Sequence, residues 1–247
     1  MTSIRLENVH VTYPIYNGRG RSLKTTMFRR VGGSVQAGGR DIINVHALKG
    51  IDLQLNAGDR LALIGHNGAG KSTLLRVLSG ACEPSDGLAE IQGKVSSLLD
   101  LGMGMDPELT GRENIILRGV FLGMTFAQAR ALVPEIIEFS ELGPYVDLPM
   151  RTYSSGMMLR LAFGVSTAVR PDIILLDEMI SVGDAGFADK AQARMEEMLM
   201  QSRILVLASH DPATLKKYCN KAALLREGQI VASGTIEEIL NSGSMGQ

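Results

Sequence analysis

The sequence predicts an α/β fold with a parallel core sheet, an antiparallel β subdomain and an inserted helical subdomain. Three observations carry that reading. The string Gly65-His66-Asn67-Gly68-Ala69-Gly70-Lys71-Ser72 fits G-x-x-x-x-G-K-[ST] and follows the apolar run 61–64. A second apolar run, Ile173-Ile174-Leu175-Leu176, ends in Asp177-Glu178. Upstream of it, Tyr153-Ser154-Ser155-Gly156-Met157 makes a Ser-Gly turn ahead of a helix-like segment. The first element cradles phosphates on backbone N–H groups at a helix N-terminus. The second offers acids at the carboxyl end of a strand, where open α/β sheets bind ligands. The third is another phosphate-binding turn, so the set suggests an ATP site completed by a second copy.

Taken in order, Ile4, Leu6, Val9 and Val11 alternate with polar residues, as do Ile51, Leu53 and Leu55. Both stretches predict half-buried antiparallel strands. Between them lies an insert, residues 14–44, rich in Gly and carrying Arg19, Arg21, Lys24, Arg29, Arg30 and Arg40. It reads either as a solvated loop or as an element meeting anionic headgroups, where each basic residue gains roughly 1 kcal/mol. A helix is predicted from Lys71. Helical patterning then runs over about 100–159, the inserted subdomain (100–160). Residues 173–176 and 204–208 are continuous apolar runs, as expected of parallel strands covered on both faces. Glu227-Gly228 predicts a two-residue hairpin turn.

The chain has 247 residues, 45% of them hydrophobic, enough for one large α/β domain. A net charge of −1 does not commit it to nucleic acid or to an anionic membrane. Cys82 and Cys219 stand far apart in no metal-like spacing and read as free thiols of a reducing compartment. The first residues lack the apolar core of a signal peptide, and the apolar runs are too short to cross a bilayer.

The chemistry follows from residue type. Lys71 is expected to reach the β- and γ-phosphates and Ser72 to ligate Mg²⁺. Asp177 would hold the same ion, and Glu178 would orient or deprotonate the attacking water. His210, after the second core strand, could report the γ-phosphate, although a lone His is more often structural.

These motifs together resemble the ATP-binding cassette family over nearly the whole chain, residues 1–247, with its RecA-like core sheet. The resemblance implies one nucleotide-binding domain that binds ATP and Mg²⁺ and hydrolyses ATP. By it, Gly65, His66, Asn67, Gly68, Ala69, Gly70, Lys71, Ser72 and Thr73 line the phosphates, and Tyr13 stacks on adenine. Ser154, Ser155 and Gly156 stand at the family's Leu-Ser-Gly-Gly-Gln signature, with Ser155 and Met157 departing from it. Asp184, in Ser181-Val182-Gly183-Asp184, stands at the D-loop. Asp100 takes the place of the usual Q-loop glutamine and is a further candidate for the metal site.

The departures form a set: Asp100, the string Pro107-Glu108-Leu109-Thr110-Gly111-Arg112-Glu113-Asn114, the Tyr-Ser-Ser-Gly-Met signature, Ser181-Val182-Gly183-Asp184-Ala185-Gly186-Phe187, and the basic insert with Arg21-Ser22-Leu23-Lys24. That set is similar to the subfamily powering bacterial export of lipid-linked polysaccharides such as O-antigens, capsules and teichoic acids. The resemblance implies a head-to-tail homodimer peripheral to the cytoplasmic face of the inner membrane. It also implies a separate integral-membrane permease, a lipid-linked glycan reached through it, and no nucleic-acid partner. The chain leaves no room after His210 for the C-terminal carbohydrate-binding domain of some members. The alternatives are an importer or small-molecule exporter cassette, a nucleic-acid or ribosome ATPase, and a cassette that binds ATP without hydrolysing it.

Overall fold

The computed structural model describes residues 2–16, 34–38, 42–97, 104–178 and 185–241. The chain divides into two compact units. The first comprises Met1–Val95, Leu175–Glu178 and Arg203–Gln247, and the second Ser96–Ile174 and Met179–Ser202.

The described strands form two sheets, most of whose residues fall in the first unit. Strands β1 (Ser3–Tyr16), β2 (Ser34–Gly38) and β3 (Ile42–Asn56) belong to a four-stranded sheet with β5 (Asp86–Gln92), in the order β2-β3-β1-β5. β1 pairs antiparallel with β3, from Ser3 opposite Asn56 to Tyr16 opposite Ile42. The alternation in the sequence is expressed directly: Ile4, Leu6, Val9 and Val11 are buried while Arg5 and Glu7 are exposed. The register shifts between Leu6 and Val9, where Asn8 has a positive φ of 48°. That bulge keeps Val9 on the core face although two residues, not one, separate it from Leu6. The two ends of the basic insert are strand, since β1 reaches Tyr16 and β2 pairs antiparallel with β3. Arg19, Arg21, Lys24, Arg29, Arg30 and Arg40 lie outside the described residues.

β4 (Arg60–Ile64) runs parallel to both β8 (Ile204–Ala208) and β9 (Lys221–Arg226). With β6 (Val95–Ser97), β7 (Ile173–Asp177) and β10 (Gln229–Thr235) they form a sheet ordered β10-β9-β4-β8-β7-β6. Every residue of β8 and the first four of β7 are buried, which explains their unbroken apolar runs. Each such Leu or Ile contributes about 2 kcal/mol on leaving water. β9 and β10 close in a hairpin through Glu227 (φ 49°) and Gly228 (φ 82°), the left-handed pair of a type I′ turn. Helix α1 (Lys71–Leu78) follows β4.

The second unit is helical. Its elements include α2 (Gly111–Phe121), α3 (Phe126–Ala131), α4 (Val133–Ser140), α5 (Ser155–Ala168) and α6 (Ala185–Gln201). Ile115, Val133, Ile136, Leu142, Val146, Met150, Tyr153, Leu161 and Val165 pack into one core. Phe139 lies edge-on to Phe187 at 5.3 Å and stacks near Phe163 at 6.1 Å. Two buried polar side chains are satisfied internally. The Asn114 amide donates to the Asp106, Leu109 and Thr110 carbonyls and accepts from the Asp106 N–H. Arg118 donates to the Ser166 hydroxyl at 2.9 Å. Back in the first unit, α7 (Pro212–Tyr218) and α8 (Ile236–Asn241) complete the described elements.

Helices α2 and α3 each begin with a capping box, Thr110 with Glu113 and Thr125 with Gln128. The Thr110 backbone N–H, and then its hydroxyl, hold the exposed Glu113 carboxyl below its ordinary pKa. A depressed carboxylate stabilises the fold above its unfolded pKa, and that contribution is lost as pH falls through the folded pKa. Thr110→Ala and Thr125→Ala are each expected to lower unfolding stability by about 1 kcal/mol in urea titrations at neutral pH. The Thr110→Ala deficit should shrink in acid, where the parent also loses the Glu113 contribution, whereas the Thr125→Ala deficit should not.

Candidate functional site

Within the first unit, β4 delivers the chain to Gly65, and the loop turns back over the sheet. A Cβ on Gly65 would lie 2.4 Å from the Leu225 carbonyl oxygen, so the loop can pass there only without a side chain. Gly70 is left-handed, with φ 111°, and is the N-cap of α1 with no side-chain hydrogen bond to the first turn. The first N–H groups of α1 are thus left to an anion and carry the partial positive charge of the helix end. Nothing in the spacing of residues points to the support this loop takes from the β9–β10 turn. The Gly228 N–H donates to the Ala69 carbonyl at 2.9 Å, and the Lys49 N–H donates to the Gly228 carbonyl at 2.8 Å.

Lys71 is 8% exposed, and its ammonium donates to the Gly65 carbonyl at 2.5 Å and the His66 carbonyl at 3.2 Å. The side chain therefore arches over its own loop. Burial lowers its pKa, while Asp177 and then Glu178 pull it back up. The His66 ring stays at the loop, Nδ1 lying 2.8 Å from the Asn67 carbonyl oxygen. Gly68 and Asn67 are exposed, Ala69 is buried, and Thr73 lies half-buried in the first turn of α1.

The Ser72 hydroxyl donates to the Asp177 carboxylate at 2.5 Å. β4 with its helix and the end of β7 thus bring together one hydroxyl and one carboxylate, both hard oxygen donors. Among the described residues there is no group of three or more His, Cys, Asp and Glu that could cage a metal. An open two-oxygen site fits Mg²⁺, which keeps several waters and takes its other ligands from substrate phosphates.

Glu178 is exposed and left-handed, with φ 67°, a conformation that costs a side-chain-bearing residue about 1 kcal/mol. Its N–H donates to the Ala208 carbonyl at 2.7 Å, fixing where its side chain leaves the sheet. His210 is exposed just after β8. Its backbone is pinned on one side, where the Ser209 hydroxyl accepts from the Asp211 N–H at 3.1 Å. Asp211 caps α7, and the Thr214 hydroxyl, ahead of the Thr214 and Ala213 N–H groups, holds its carboxyl below the ordinary range.

Tyr13 on β1 is 38% exposed, and its hydroxyl lies 3.6 Å from the Cys82 sulfur, beside Thr73 and Arg76 of α1. It therefore stands next to the phosphate loop's helix with free ring surface. In the second unit, Ser154 is the exposed N-cap of α5 and accepts from the Met157 N–H at 3.2 Å. Ser155 is exposed and Gly156 half-buried in the first turn of that helix. Asp100 and Asp184 lie outside the described residues. Among the described residues no helix is long and apolar enough to cross a membrane.

Residues 48–181 match the family described as ABC transporter. The chain is 47% identical over 231 residues to the O-antigen export system ATP-binding protein RfbE of Yersinia enterocolitica, covering 93% of this chain and 97% of that protein. It is 42% identical over 241 residues to the O-antigen export system ATP-binding protein RfbB of Myxococcus xanthus, covering 97% of this chain and 55% of that one. The dimeric post-hydrolysis structure of the ATP-binding cassette MJ0796 bound to ADP and Pi superimposes with a TM-score of 0.66. It is 20% identical and covers 94% of this chain and 98% of that one, a likeness of fold.

The cysteines offer a probe of the surface around Tyr13. Both are free; Cys219 is buried and its thiol is pushed up to about 12, chiefly by burial, whereas Cys82 is partly exposed beside Tyr13. At mildly alkaline pH iodoacetamide should label Cys82 and spare Cys219, because the thiolate is the reacting form. ATP should slow Cys82 labelling by about tenfold if a base stacks on Tyr13 and covers it. Labelling indifferent to ATP would argue against the Tyr13 subsite.

Proposed function

The chain belongs to the ABC transporter family, and on that premise we propose that it is the ATP-hydrolysing subunit of an exporter of lipid-linked polysaccharide. The observation that carries this reading is the 47% identity with an O-antigen export ATP-binding protein along 97% of that protein's length. The site described above supports the ATPase half of it. The permease is a separate integral-membrane protein, and the glycan is reached through it. The chain acts as a single nucleotide-binding domain, peripheral to the cytoplasmic face of the bacterial inner membrane. The face of α2 carrying exposed Leu117, Val120 and Phe121, at helical spacing, supports a membrane-protein partner there.

In this reading ATP lies along the phosphate loop with its base on Tyr13. The N–H groups of the loop and the Lys71 ammonium neutralise the β- and γ-phosphates. Ser72 and Asp177 hold Mg²⁺, which supplies charge neutralisation at the phosphate oxygens. Glu178 accepts a proton from a water as that water attacks the γ-phosphorus. The bond to the β–γ bridging oxygen breaks, and ADP and inorganic phosphate result. His210 donates to a γ-phosphate oxygen. Ser154 and the N-terminus of α5 come from a second copy, arranged head to tail, with Asp184 beside them. ATP then holds two copies together and its hydrolysis releases them.

Glu178→Gln is expected to cut steady-state hydrolysis by about a hundredfold or more, since a general base contributes on that order. The same variant should form a stable ATP-dependent dimer. Tagged Glu178→Gln, captured from native membranes with Mg-ATP, should bring down a multi-span permease with a polyprenyl-linked glycan, read by mass spectrometry. An importer's binding-protein system in that capture would leave the ATPase intact and overturn the polysaccharide assignment.

A further inference from the structure

The string running from Pro107 to Asn114 folds around the segment that delivers Ser154, all within the second unit. The Met150 N–H donates to the Leu109 carbonyl and the Arg151 N–H to the Pro107 carbonyl, each at 2.9 Å. Thr110 bridges Pro149. Arg112 forks onto Asp147, at 2.8 and 3.2 Å, and Arg151 pairs with Glu108. Asn114 ties down the inner carbonyls of the same string. The interlock ends at Tyr153, whose ring is buried to 8% exposure. Its hydroxyl donates to the Tyr145 carbonyl at 2.8 Å and sits against the Gly111 backbone at the start of α2, close enough for the Gly111 N–H to pull its pKa down against the larger effect of burial. That N–H is one of the donors a helix start leaves without an intrahelical partner. The hydroxyl fits because Gly111 has no side chain: a Cβ there would lie 2.3 Å from it.

Ser154 follows Tyr153 directly, both in extended backbone. Fixing the tyrosine ring therefore fixes the serine hydroxyl to within a few backbone torsions. We propose that Gly111 and Tyr153 are matched positioning residues, which hold the α2 start against the signature turn and so aim Ser154 at the γ-phosphate bound by the partner copy. The inference deepens the shared-site reading given above and rests on it. It also accounts for the joint occurrence of a tyrosine at the head of the signature and a glycine in the Thr-Gly-Arg-Glu-Asn string. Each makes sense only with the other.

The test uses the full chain in the Glu178→Gln background. ATP-dependent self-association is followed by sedimentation, and nucleotide affinity of the separate copies by a fluorescent ATP analogue. Tyr153→Phe should weaken association by about tenfold, the usual effect of one lost hydrogen bond with its partners left buried. Affinity of the separate copies should not change, because the phosphate loop is in the other unit. Gly111→Ala should weaken association further. Gly111→Ala combined with Tyr153→Phe should recover part of that loss, since removing the hydroxyl makes room for the Cβ. Normal association of Tyr153→Phe would overturn the inference, as would a double variant no better than Gly111→Ala. A parallel fall in nucleotide affinity would also overturn it, by marking a general loss of folding. If the parent Glu178→Gln chain itself fails to associate with ATP, the shared-site reading falls, and this inference with it.

Discussion

The phosphate loop depends on backbone packed directly against backbone. Gly65 passes beneath the Leu225 carbonyl, and a Cβ on Gly70 or Gly228 would approach the Ala47 carbonyl to 3.0 or 2.6 Å. No side chain separates the loop from β9, from the β9–β10 turn or from β3. The loop is therefore held by two strands and a turn at once, and the N–H groups of its helix keep their direction without a side-chain cap. Preorganised dipoles of this kind do their work without reorganising when charge develops. Lys71 belongs to the same arrangement, since its ammonium already lies among carbonyls that imitate oxygens of a phosphate.

The two units meet the polar-burial problem differently. In the first, the core strands are apolar throughout, and polar chemistry is confined to their ends, at Asp177, Glu178, Ser209 and His210. In the second, polar groups go inside. Asn114 and Arg118 are both nearly inaccessible, and each is matched to internal oxygens. A satisfied buried amide adds little net stability, but leaving its partners unmatched costs about 1–3 kcal/mol. Such a knot specifies one arrangement of the α2 start more sharply than apolar packing would.

Much of the nucleotide-binding unit was legible in the sequence because its signals are local. Alternation gave β1 and β3, continuous apolar runs gave β7 and β8, and Glu227-Gly228 gave the hairpin. The contact of Ser72 with Asp177 was legible as chemistry, since both residue types suit one cation. What stayed hidden was long-range. Nothing in the spacing ties Gly228 to Ala69, and nothing in the Thr-Gly-Arg-Glu-Asn string points to the Tyr153 hydroxyl. Those pairings are set by how helices and turns fold back in space, which periodicity does not encode. The bulge at Asn8 was likewise invisible, although it sets the register of β1.

Glu178 carries a further implication. A left-handed backbone is easy for glycine and unfavourable for glutamate, so this position works against the fold that holds it. Drift under selection for folding alone would favour a glycine or an asparagine there, giving a sturdier protein without the proposed base. On the proposed mechanism, only selection for turnover would hold the carboxylate against that gradient. On that mechanism the most robust version of this chain and the working version are different sequences, and the difference is concentrated in one torsion angle.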